Sequence, residues 1–189
     1  LQMLVDPPDS ATVDFSSLRT MTYGGSPITP VVLRKAIDRI GPVLVQLFGM
    51  TETSTIGTAL LPADHNPRNA KRLTSCGRPL PGVEIRVRTL DGKAALPGES
   101  GEILIRSNAV MKGYWNRPEA TSAALREGWY HSGDVGYLDV DGYLYIQDRL
   151  KDMVISGGEN VYPAEVVRVL AEHPDVADVG RVGGPGPKW

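Results

Sequence analysis

The arrangement of residues 18–47 constrains the fold of this chain more than any other sequence feature. Leu18 to Tyr23 has the composition of a buried strand and ends at Gly24-Gly25, and Val43 to Leu47 forms a second apolar run. Between them, apolar residues recur at helical spacing after Thr29-Pro30, which predicts a helix with a threonine N-cap and a proline in its first turn. A strand, a helix and a strand within about thirty residues predict a βαβ unit of a parallel sheet, with ligand-binding loops at the carboxyl ends of the strands.

The segment after this unit carries short predicted strands at close spacing. They cover Val83 to Arg88, Gly101 to Ser107, Val135 to Leu138 and Tyr143 to Gln147, with one short helix from Pro118 to Leu125. Asp-Gly and Pro-Gly pairs beside these strands are typical turn residues. The pattern predicts a small β-barrel-like subdomain.

A third segment begins near Asp148 and predicts the start of an α+β domain. Met153 to Ser156 is predicted as a strand, Pro163 to Glu172 as a helix and Val176 to Val182 as another strand. We therefore expect an α/β chain with three parts: the end of a parallel α/β subdomain (1–72), the β-barrel-like subdomain (73–147), and a hinge with the truncated start of a small domain (148–189). Because so short a tail cannot bury both faces of its sheet, the chain is expected to be a piece of a longer protein.

Composition narrows the function classes. The chain has 189 residues, enough for a real core, and its 41% apolar and 22% charged residues are ordinary for a globular protein. A net charge of −2 gives no basic patch of the kind that binds nucleic acid. No apolar run reaches the roughly 18 residues of a membrane span. The N-terminus has no signal-peptide pattern, and Cys76 is the lone cysteine, so a cytoplasmic location is expected.

One loop concentrates the groups that a nucleotide site needs. After the second predicted strand, Phe48 offers a ring face and Gly49 permits a tight turn, while Thr51 offers a hydroxyl to a phosphate and Glu52 offers oxygens to Mg²⁺. The alternative is an ordinary helix start, with Thr51 as N-cap and an acid favoured near the helix dipole.

Three further clusters have both a functional and a structural interpretation. The backbone at Gly24-Gly25-Ser26 could lie against a flat ring or a carboxylate, or it could form a generic turn. Asp134 could accept two hydrogen bonds from a ribose diol, or it could be a turn residue, and the neighbouring His131 is expected to be a surface or packing residue. Arg149 could reach a ribose or phosphate and Lys151 could lie at a hinge, or both could belong to a solvated linker. The histidine spacing does not resemble a zinc site.

Taken in order, these clusters resemble the adenylate-forming superfamily of acyl-CoA synthetases, firefly-type luciferases and peptide-synthetase adenylation domains. The resemblance is carried by Tyr23-Gly-Gly-Ser-Pro, Phe48-Gly-Met-Thr-Glu, Gly101-Glu-Ile-Leu-Ile-Arg, Tyr114-Trp-Asn, Gly128-Trp-Tyr-His-Ser-Gly-Asp, Asp148-Arg-Leu-Lys and Ser156-Gly-Gly-Glu-Asn-Val-Tyr-Pro-Ala-Glu. It runs over essentially the whole chain, which corresponds to the middle-to-late part of such an enzyme.

The resemblance implies a ligase that joins a carboxylate to ATP as an acyl-adenylate and then transfers the acyl group to a thiol, with Mg²⁺ and coenzyme A as cofactors. It also implies roles for individual residues. Gly24, Gly25 and Ser26 would line adenine and the acyl carboxylate, Phe48 and Gly49 would flank adenine, Thr51 would contact the α-phosphate, Glu52 would bind Mg²⁺, Asp134 and Arg149 would hold the ribose, Lys151 would be the hinge, and Gly157 and Gly158 would line the CoA tunnel. Phe48 departs from the tyrosine usual in relatives, so a ring hydroxyl contact is lost while stacking survives.

Two elements of such enzymes are not found in the sequence. They are the phosphate-binding loop, which would precede Leu1, and the C-terminal catalytic lysine, for which Lys188 lies too early. We therefore expect the chain by itself to be inactive, with possible self-association through surfaces exposed by truncation. The stretch Ser156 to Pro163 favours a fatty-acyl or aryl-acid CoA ligase. The alternatives are a stand-alone AMP-binding or interaction module and another adenylation branch, such as a peptide-synthetase domain.

Overall fold

The computed structural model describes residues 1–5, 12–26, 28–156, 159–170, 173 and 175–176. Its first part contains α1 (Gln2–Val5), β1 (Met21–Gly24), α2 (Pro30–Ile40) and β2 (Leu44–Phe48). Strands β1 and β2 pair in parallel, from Met21 opposite Leu44 to Gly24 opposite Leu47. The predicted βαβ unit is thereby confirmed, and the carboxyl ends of both strands meet at one edge of the sheet.

Helix α2 forms for the reasons that its sequence predicts. The Thr29 side chain accepts a hydrogen bond from the Val32 N–H at 3.4 Å and so caps the helix, while Pro30 occupies the first turn. Leu33, Ala36 and Ile40 are buried against β2 and neighbouring segments. This packing fixes the position of β2 relative to α2, and therefore the position of the loop that follows β2.

Two strands that the sequence did not predict extend this first sheet. Strand β3 (Thr58–Leu60) pairs antiparallel with β2, and β4 (Arg78–Pro79) pairs antiparallel with β3, which makes the sheet mixed. Between them lie a 3₁₀ turn (Pro62–Asp64) and the short helix α3 (Ala70–Leu73). Three and two residues are too few to show an alternating pattern, so the pairing is set by tertiary contacts.

The second sheet is antiparallel and has five strands. It comprises β5 (Val83–Arg88), β6 (Gly101–Ser107), β7 (Leu125–Arg126), β8 (Trp129–Leu138) and β9 (Leu144–Arg149), with α4 (Pro118–Ala124) leading into β7. The curled shape of this sheet confirms the predicted β-barrel-like architecture. Strands β5 and β6 have the predicted bounds, whereas β8 begins at Trp129, upstream of the predicted Val135 and of a register shift.

One short segment joins the two sheets. The Cys76 N–H donates to the Leu144 carbonyl at 2.7 Å, and the Leu144 N–H donates to the Gly77 carbonyl at 2.8 Å. Cys76 also belongs to a buried cluster with Ile103 and Leu144, so one core spans both sheets.

The last described part contains β10 (Val154–Ser156), β11 (Glu159–Val161) and α5 (Pro163–Leu170). The predicted tunnel residues Gly157 and Gly158, the end of the predicted helix and nearly all of the predicted strand 176–182 lie outside the described residues. No helix within the described ranges is both long and apolar enough to cross a membrane.

Candidate functional site

A cavity of about 350 Å³ opens between the loop after β2 and one side of the second sheet. Its walls come from six separate pieces of chain. The lining consists of Met50, Glu52, Glu102, Tyr114, Ala123, Ala124, Arg126, Tyr130, His131, Ser132, Gly133, Asp134 and Arg149. Three predicted site residues with charged side chains, Glu52, Asp134 and Arg149, therefore face the same space although they are distant in sequence.

A bulge in β8 directs Asp134 into the cavity. On β6, Glu102 pairs with Val135 and Leu104 pairs with His131, so Ile103 alone faces the three residues 132–134. Gly133 has φ +70°, a conformation that residues with a side chain rarely adopt. The extra residues interrupt the ladder and re-aim the side chain that follows them, which is a recognised role of β-bulges beside functional sites.

Ser132 satisfies the backbone groups that this bulge releases. Its hydroxyl donates to the Ile103 carbonyl at 2.7 Å and accepts from the Asp134 N–H at 3.0 Å. Buried backbone groups without partners are costly, so this side chain holds the bulge in one conformation. The conformation of the Asp134 backbone thus depends on Ser132.

The Asp134 carboxylate lies in a partly desolvated position. Its side chain is 14% exposed, and its Oδ1 lies 3.6 Å from Arg149 Nε. Burial raises the pKa of Asp134, and the Arg149 charge opposes that rise. Arg149 itself is 66% exposed and lies directly across the ladder, since Asp134 and Arg149 are register partners. The pair presents an acceptor and a donor side by side at the cavity wall.

Beside this pair lies a polar cluster formed around the buried ring of His131. Nδ1 of His131 is 2.9 Å from Glu102 Oε2 and 2.9 Å from Arg126 Nη2. His131 is 8% exposed. Of the two expected roles, surface residue or packing residue, the structure therefore shows packing, with polar partners. Glu102 is 29 positions away and meets His131 only across the bulge, so local sequence carries no signal for this contact.

The loop that carries Glu52 is a single 3₁₀ turn, Thr51–Thr53. Met50 is its N-cap, and Thr53 Oγ1 accepts from the Met50 N–H at 3.2 Å. The alternative in which Thr51 caps a helix is therefore wrong, and the Thr51 side chain is exposed beside the cavity. A Cβ on Gly49 would lie 2.4 Å from the Thr55 carbonyl, so a side chain there would displace the loop.

Contacts at both ends of the residue hold Glu52. The Tyr114 hydroxyl donates to Oε1 at 2.7 Å, and the Met111 N–H donates to the Glu52 carbonyl at 2.7 Å. The hydrogen bond to Glu52 is the main cause that raises the pKa of Tyr114. Sequence reasoning noted Tyr114 only as part of a short motif and assigned it no function.

The remaining predicted residues lie outside the lining of this cavity. Among the described residues, that lining excludes Gly24, Gly25, Ser26, Phe48, Gly49 and Thr51. Gly24 and Phe48 end the parallel strands β1 and β2, so their loops share one sheet edge. Phe48 is half-buried and packs against the core cluster that contains Tyr130, a residue of the cavity wall.

This geometry agrees with a family-level match. The model of the family described as AMP-binding enzyme matches residues 1–115, more than half of the chain. The chain belongs to the AMP-binding enzyme family. Within this family member, the cavity lies at the boundary between the matched segment and the strands that follow it.

Relatives of this chain include proteins with several named activities. The chain is 47% identical over all 189 residues to the medium/long-chain-fatty-acid–CoA ligase FadD8 of Mycobacterium tuberculosis, and it covers 33% of that protein. It is 42% identical to the amide bond synthetase McbA of Marinactinospora thermotolerans, with a TM-score of 0.90, 98% of this chain covered and 37% of that one. The chain thus spans about a third of the length of this curated relative, 33% by coverage.

A third relative has been solved with ligands. The o-succinylbenzoate CoA synthetase of Bacillus subtilis, in complex with its acyl-adenylate intermediate, is 41% identical with a TM-score of 0.83, covering 92% of this chain and 35% of that one. The same synthetase has been solved in complex with ATP and a magnesium ion.

The predicted hinge residue lies in a tight turn after β9. Lys151 is exposed there, and the N–H groups of Asp152 and Met153 both donate to the Arg149 carbonyl. Asp148 spans the turn, because its carboxylate accepts from the Arg149 N–H and from the Ala164 N–H, each at 2.8 Å. Ala164 lies in the first turn of α5, so Asp148 ties that helix to β9.

Proposed function

We propose that the protein containing this chain is an ATP-dependent acid–thiol ligase. It would join a carboxylic acid to AMP as an acyl-adenylate, with release of pyrophosphate, and transfer the acyl group to coenzyme A. The observation that carries this proposal is the convergence of Glu52, Asp134 and Arg149 on one cavity from three separate elements. These three groups are complementary to a magnesium nucleotide. The Asp134 carboxylate suits a ribose diol, the Arg149 cation lies beside it, and the Glu52 carboxylate suits a hard metal ion.

The proposed roles follow from the chemistry of each group. Asp134, an acceptor on the cavity wall, is assigned to the two ribose hydroxyls, and Arg149 is assigned to an oxygen of the ribose or phosphate. Thr51, exposed on the same loop as Glu52, is assigned to the α-phosphate. Phe48, Gly49 and the turn Gly24-Gly25-Ser26 are assigned to adenine and the acyl carboxylate, because both loops leave the same sheet edge.

The residues present fit one kind of magnesium site, in which the protein and the substrate share the coordination of the ion. The described residues contain no group of three or more His, Cys, Asp or Glu side chains that could hold a metal alone. Mg²⁺ is usually bound by one or two carboxylates together with substrate phosphates and water. Glu52, a single carboxylate on the cavity wall, fits such a shared site, in which the ion would neutralise phosphate charge.

Fatty and aryl acids are the proposed substrate classes. Relatives of this chain are named for fatty-acid, feruloyl and 2-succinylbenzoate substrates, all of them carboxylic acids. Coenzyme A is the proposed thiol, because most of these names specify a CoA ligase. A carrier-protein thiol and an amine are the competing acceptors, since an acyl-carrier-protein ligase and an amide bond synthetase are also among the relatives.

The direct test is a pyrophosphate-release assay on the complete gene product. It is run with ATP, Mg²⁺ and a panel of fatty and aryl acids, followed by addition of coenzyme A, a carrier protein or an amine. We expect acid-dependent pyrophosphate release and a CoA thioester as product. Thioester formed only on a carrier protein, or amide formed only with an amine, would replace the acceptor while keeping adenylation. No release with any acid would refute the ligase proposal.

The isolated 189-residue chain separates this proposal from a stand-alone nucleotide-binding module. Its relatives are about three times as long, given the 33% coverage, so we propose that turnover requires segments beyond these residues. We expect the isolated chain to release no pyrophosphate and to bind AMP weakly in calorimetry, with a Kd in the millimolar range, about −4 kcal/mol. Micromolar binding of AMP by the isolated chain would favour the module, and turnover by it would contradict the proposed requirement.

A further inference from the structure

We propose that Tyr114 is a positioning residue for Glu52, whose carboxylate it holds toward the cavity as a one-oxygen ligand for the metal of the nucleotide. The inference deepens the proposed function and rests on it in one respect, that a cation accompanies the nucleotide in this cavity. Nothing in the role assigned to Glu52 itself requires Tyr114. The assignment comes from the contacts between the two loops.

Tyr114 and Glu52 are in direct contact. Tyr114 Oη lies 2.7 Å from Glu52 Oε1, and both residues line the cavity. A carboxylate offers about four acceptor positions on its two oxygens. A hydroxyl on Oε1 therefore leaves Oε2 able to face a cation, and it favours binding through one oxygen over binding through both.

The Tyr114 hydroxyl is the donor in this contact. A phenol hydroxyl can donate a hydrogen bond, whereas an ionised carboxylate only accepts, so Glu52 Oε1 is the acceptor. A neutral donor supplies a hydrogen bond without cancelling the negative charge that a cation needs.

Tyr114 is itself anchored by hydrogen bonds of its backbone. Its N–H donates to Thr121 Oγ1 at 2.9 Å, and Thr121 Oγ1 donates to the Arg117 carbonyl at 2.9 Å. The Arg117 N–H in turn donates to the Tyr114 carbonyl at 3.2 Å. This closed set of bonds ties Tyr114 to the first turn of α4, so the hydroxyl reaches Glu52 from a rigid support.

The loops that carry Glu52 and Tyr114 are in contact at more than one point. Besides the side-chain bond, the Met111 N–H donates to the Glu52 carbonyl and Ser54 Oγ donates to the Ala109 carbonyl at 3.0 Å. The backbone of Glu52 is thus fixed without Tyr114. Loss of the Tyr114 hydroxyl alone should free the Glu52 carboxylate while leaving the loop in place. Removal of this single oxygen atom therefore tests the proposal.

The chain supplies a matched control for that test. The Tyr143 hydroxyl donates to Asp64 Oδ1 at 2.7 Å, the same length as the bond from Tyr114 to Glu52. Tyr143 and Asp64 lie outside the cavity lining. Tyr114→Phe and Tyr143→Phe therefore each remove one tyrosine–carboxylate bond, and only the first removes it at the site.

The experiment measures metal binding without turnover. The complete gene product is saturated with AMP and titrated with Mn²⁺, a paramagnetic substitute for Mg²⁺, and free Mn²⁺ is followed by electron paramagnetic resonance. We expect Tyr114→Phe to weaken Mn²⁺ binding by about tenfold, in the range typical for lost outer-sphere partners of a metal ligand, and Tyr143→Phe to leave it unchanged. Glu52→Gln gives the reference for loss of the ligand. In activity assays, Tyr114→Phe should raise the KM for Mg²⁺-ATP more than it lowers kcat.

The possible outcomes separate the two proposals. Equal Mn²⁺ affinity in wild type and Tyr114→Phe, or equal losses in both Phe variants, would overturn the role of Tyr114. The same holds if Glu52→Gln binds Mn²⁺ like wild type. Selective weakening by Tyr114→Phe in a protein that adenylates none of the acids tested would support the positioning role while the ligase proposal fails. If Tyr114→Phe does not fold, Thr121→Val, which removes the anchor of Tyr114, should weaken Mn²⁺ binding instead, and unchanged binding there would count against the proposal.

Discussion

At the scale of single residues, Asp134 has opposing effects on stability and binding. Burial raises the pKa of its carboxyl group above the ordinary value of 3.8, so the folded state disfavours the charged form. The resulting penalty is complete above the folded pKa and disappears below the unfolded one. At neutral pH the carboxylate therefore destabilises the fold, although in the proposed function it binds the ribose.

This conflict predicts that Asp134→Asn moves stability and affinity in opposite directions. At pH 7 the variant should unfold at a slightly higher urea concentration than wild type, and this gain should shrink as the pH falls toward 3.8. Its affinity for AMP should drop about tenfold to a hundredfold, because charged hydrogen bonds to the ribose are lost. Urea titrations at several pH values and AMP calorimetry on the complete gene product check both parts. Asp141→Asn, an exposed aspartate in a hairpin turn, is the control and should change AMP affinity little.

The sequence predicted some of these residues and could not predict others, for a physical reason. Glu52 and Asp134 stand in short motifs whose residue types match a nucleotide, so they are visible from local sequence. Tyr114 acts on Glu52 from 62 positions away, and Glu102 acts on His131 from 29. Such pairs form only when distant segments come into contact in the folded protein, and a single sequence contains no signal for such a tertiary contact.

At the scale of elements, the bulge of β8 decides where Asp134 points. Ser132 holds that bulge by donating to the Ile103 carbonyl and accepting from the Asp134 N–H. Ser75 makes the same pair of bonds elsewhere, because its hydroxyl donates to the Leu144 carbonyl at 2.9 Å and accepts from the Gly77 N–H at 2.9 Å. The chain therefore contains two equivalent serines, one at the cavity and one outside it.

Replacing each serine by alanine should separate structural from functional effects. Ser132→Ala and Ser75→Ala should each lower the free energy of unfolding by about 1 to 3 kcal/mol, since each removes the hydroxyl that accepts from a backbone N–H two residues further along the chain. Only Ser132→Ala should also weaken AMP binding, because only that bulge carries Asp134. Chemical denaturation and calorimetry of the two variants give the comparison. An equal loss of AMP affinity in both would mean that general loosening, rather than the bulge, controls the site.

Elements were predictable where their side chains alternate or recur over enough residues. Helix α2 and strands β5 and β6 meet that condition, and their predicted bounds agree closely with the structure. Strands β3 and β4 do not, and β8 is interrupted by a bulge that hides its early residues from a pattern of strict alternation. The interruption that defeats the pattern is the same feature that forms the cavity wall.

At the scale of the whole molecule, a polar network crosses the first sheet and continues to the second. His65 Nδ1 lies 2.8 Å from the Leu61 carbonyl, which only accepts, so Nδ1 carries the proton and Nε2 accepts from the Tyr23 hydroxyl at 2.9 Å. Gln46 lies 3.4 Å from the same hydroxyl and 3.8 Å from Cys76 Sγ. Because the Cys76 N–H donates to the Leu144 carbonyl, the network links β1 to β9.

The protonation of His65 should therefore affect the stability of the molecule as a whole. Burial lowers the pKa of His65 below 6.5, against smaller opposing effects of the Leu61 carbonyl and Asp64. Between the folded and the unfolded pKa the unfolded chain binds more protons, so stability falls as the pH drops through 6.5. One such group contributes at most about 1.4 kcal/mol per pH unit. Urea midpoints measured from pH 7.5 to pH 5 should fall, and both sheets should unfold in one transition because they share the core around Cys76.

Two histidine variants distinguish this origin of acid sensitivity from others. His65→Gln should lower stability at pH 7.5, because it disturbs the buried contact with Tyr23, and should flatten the dependence between pH 7.5 and pH 5. His173→Gln, at a side chain that is 63% exposed, should leave the dependence unchanged. A pH dependence that persists in His65→Gln would locate the sensitive group elsewhere. Separate transitions for the two sheets would show that the junction at Cys76 and Gly77 does not couple them, and acid would then weaken the first sheet without reaching the cavity wall on the second.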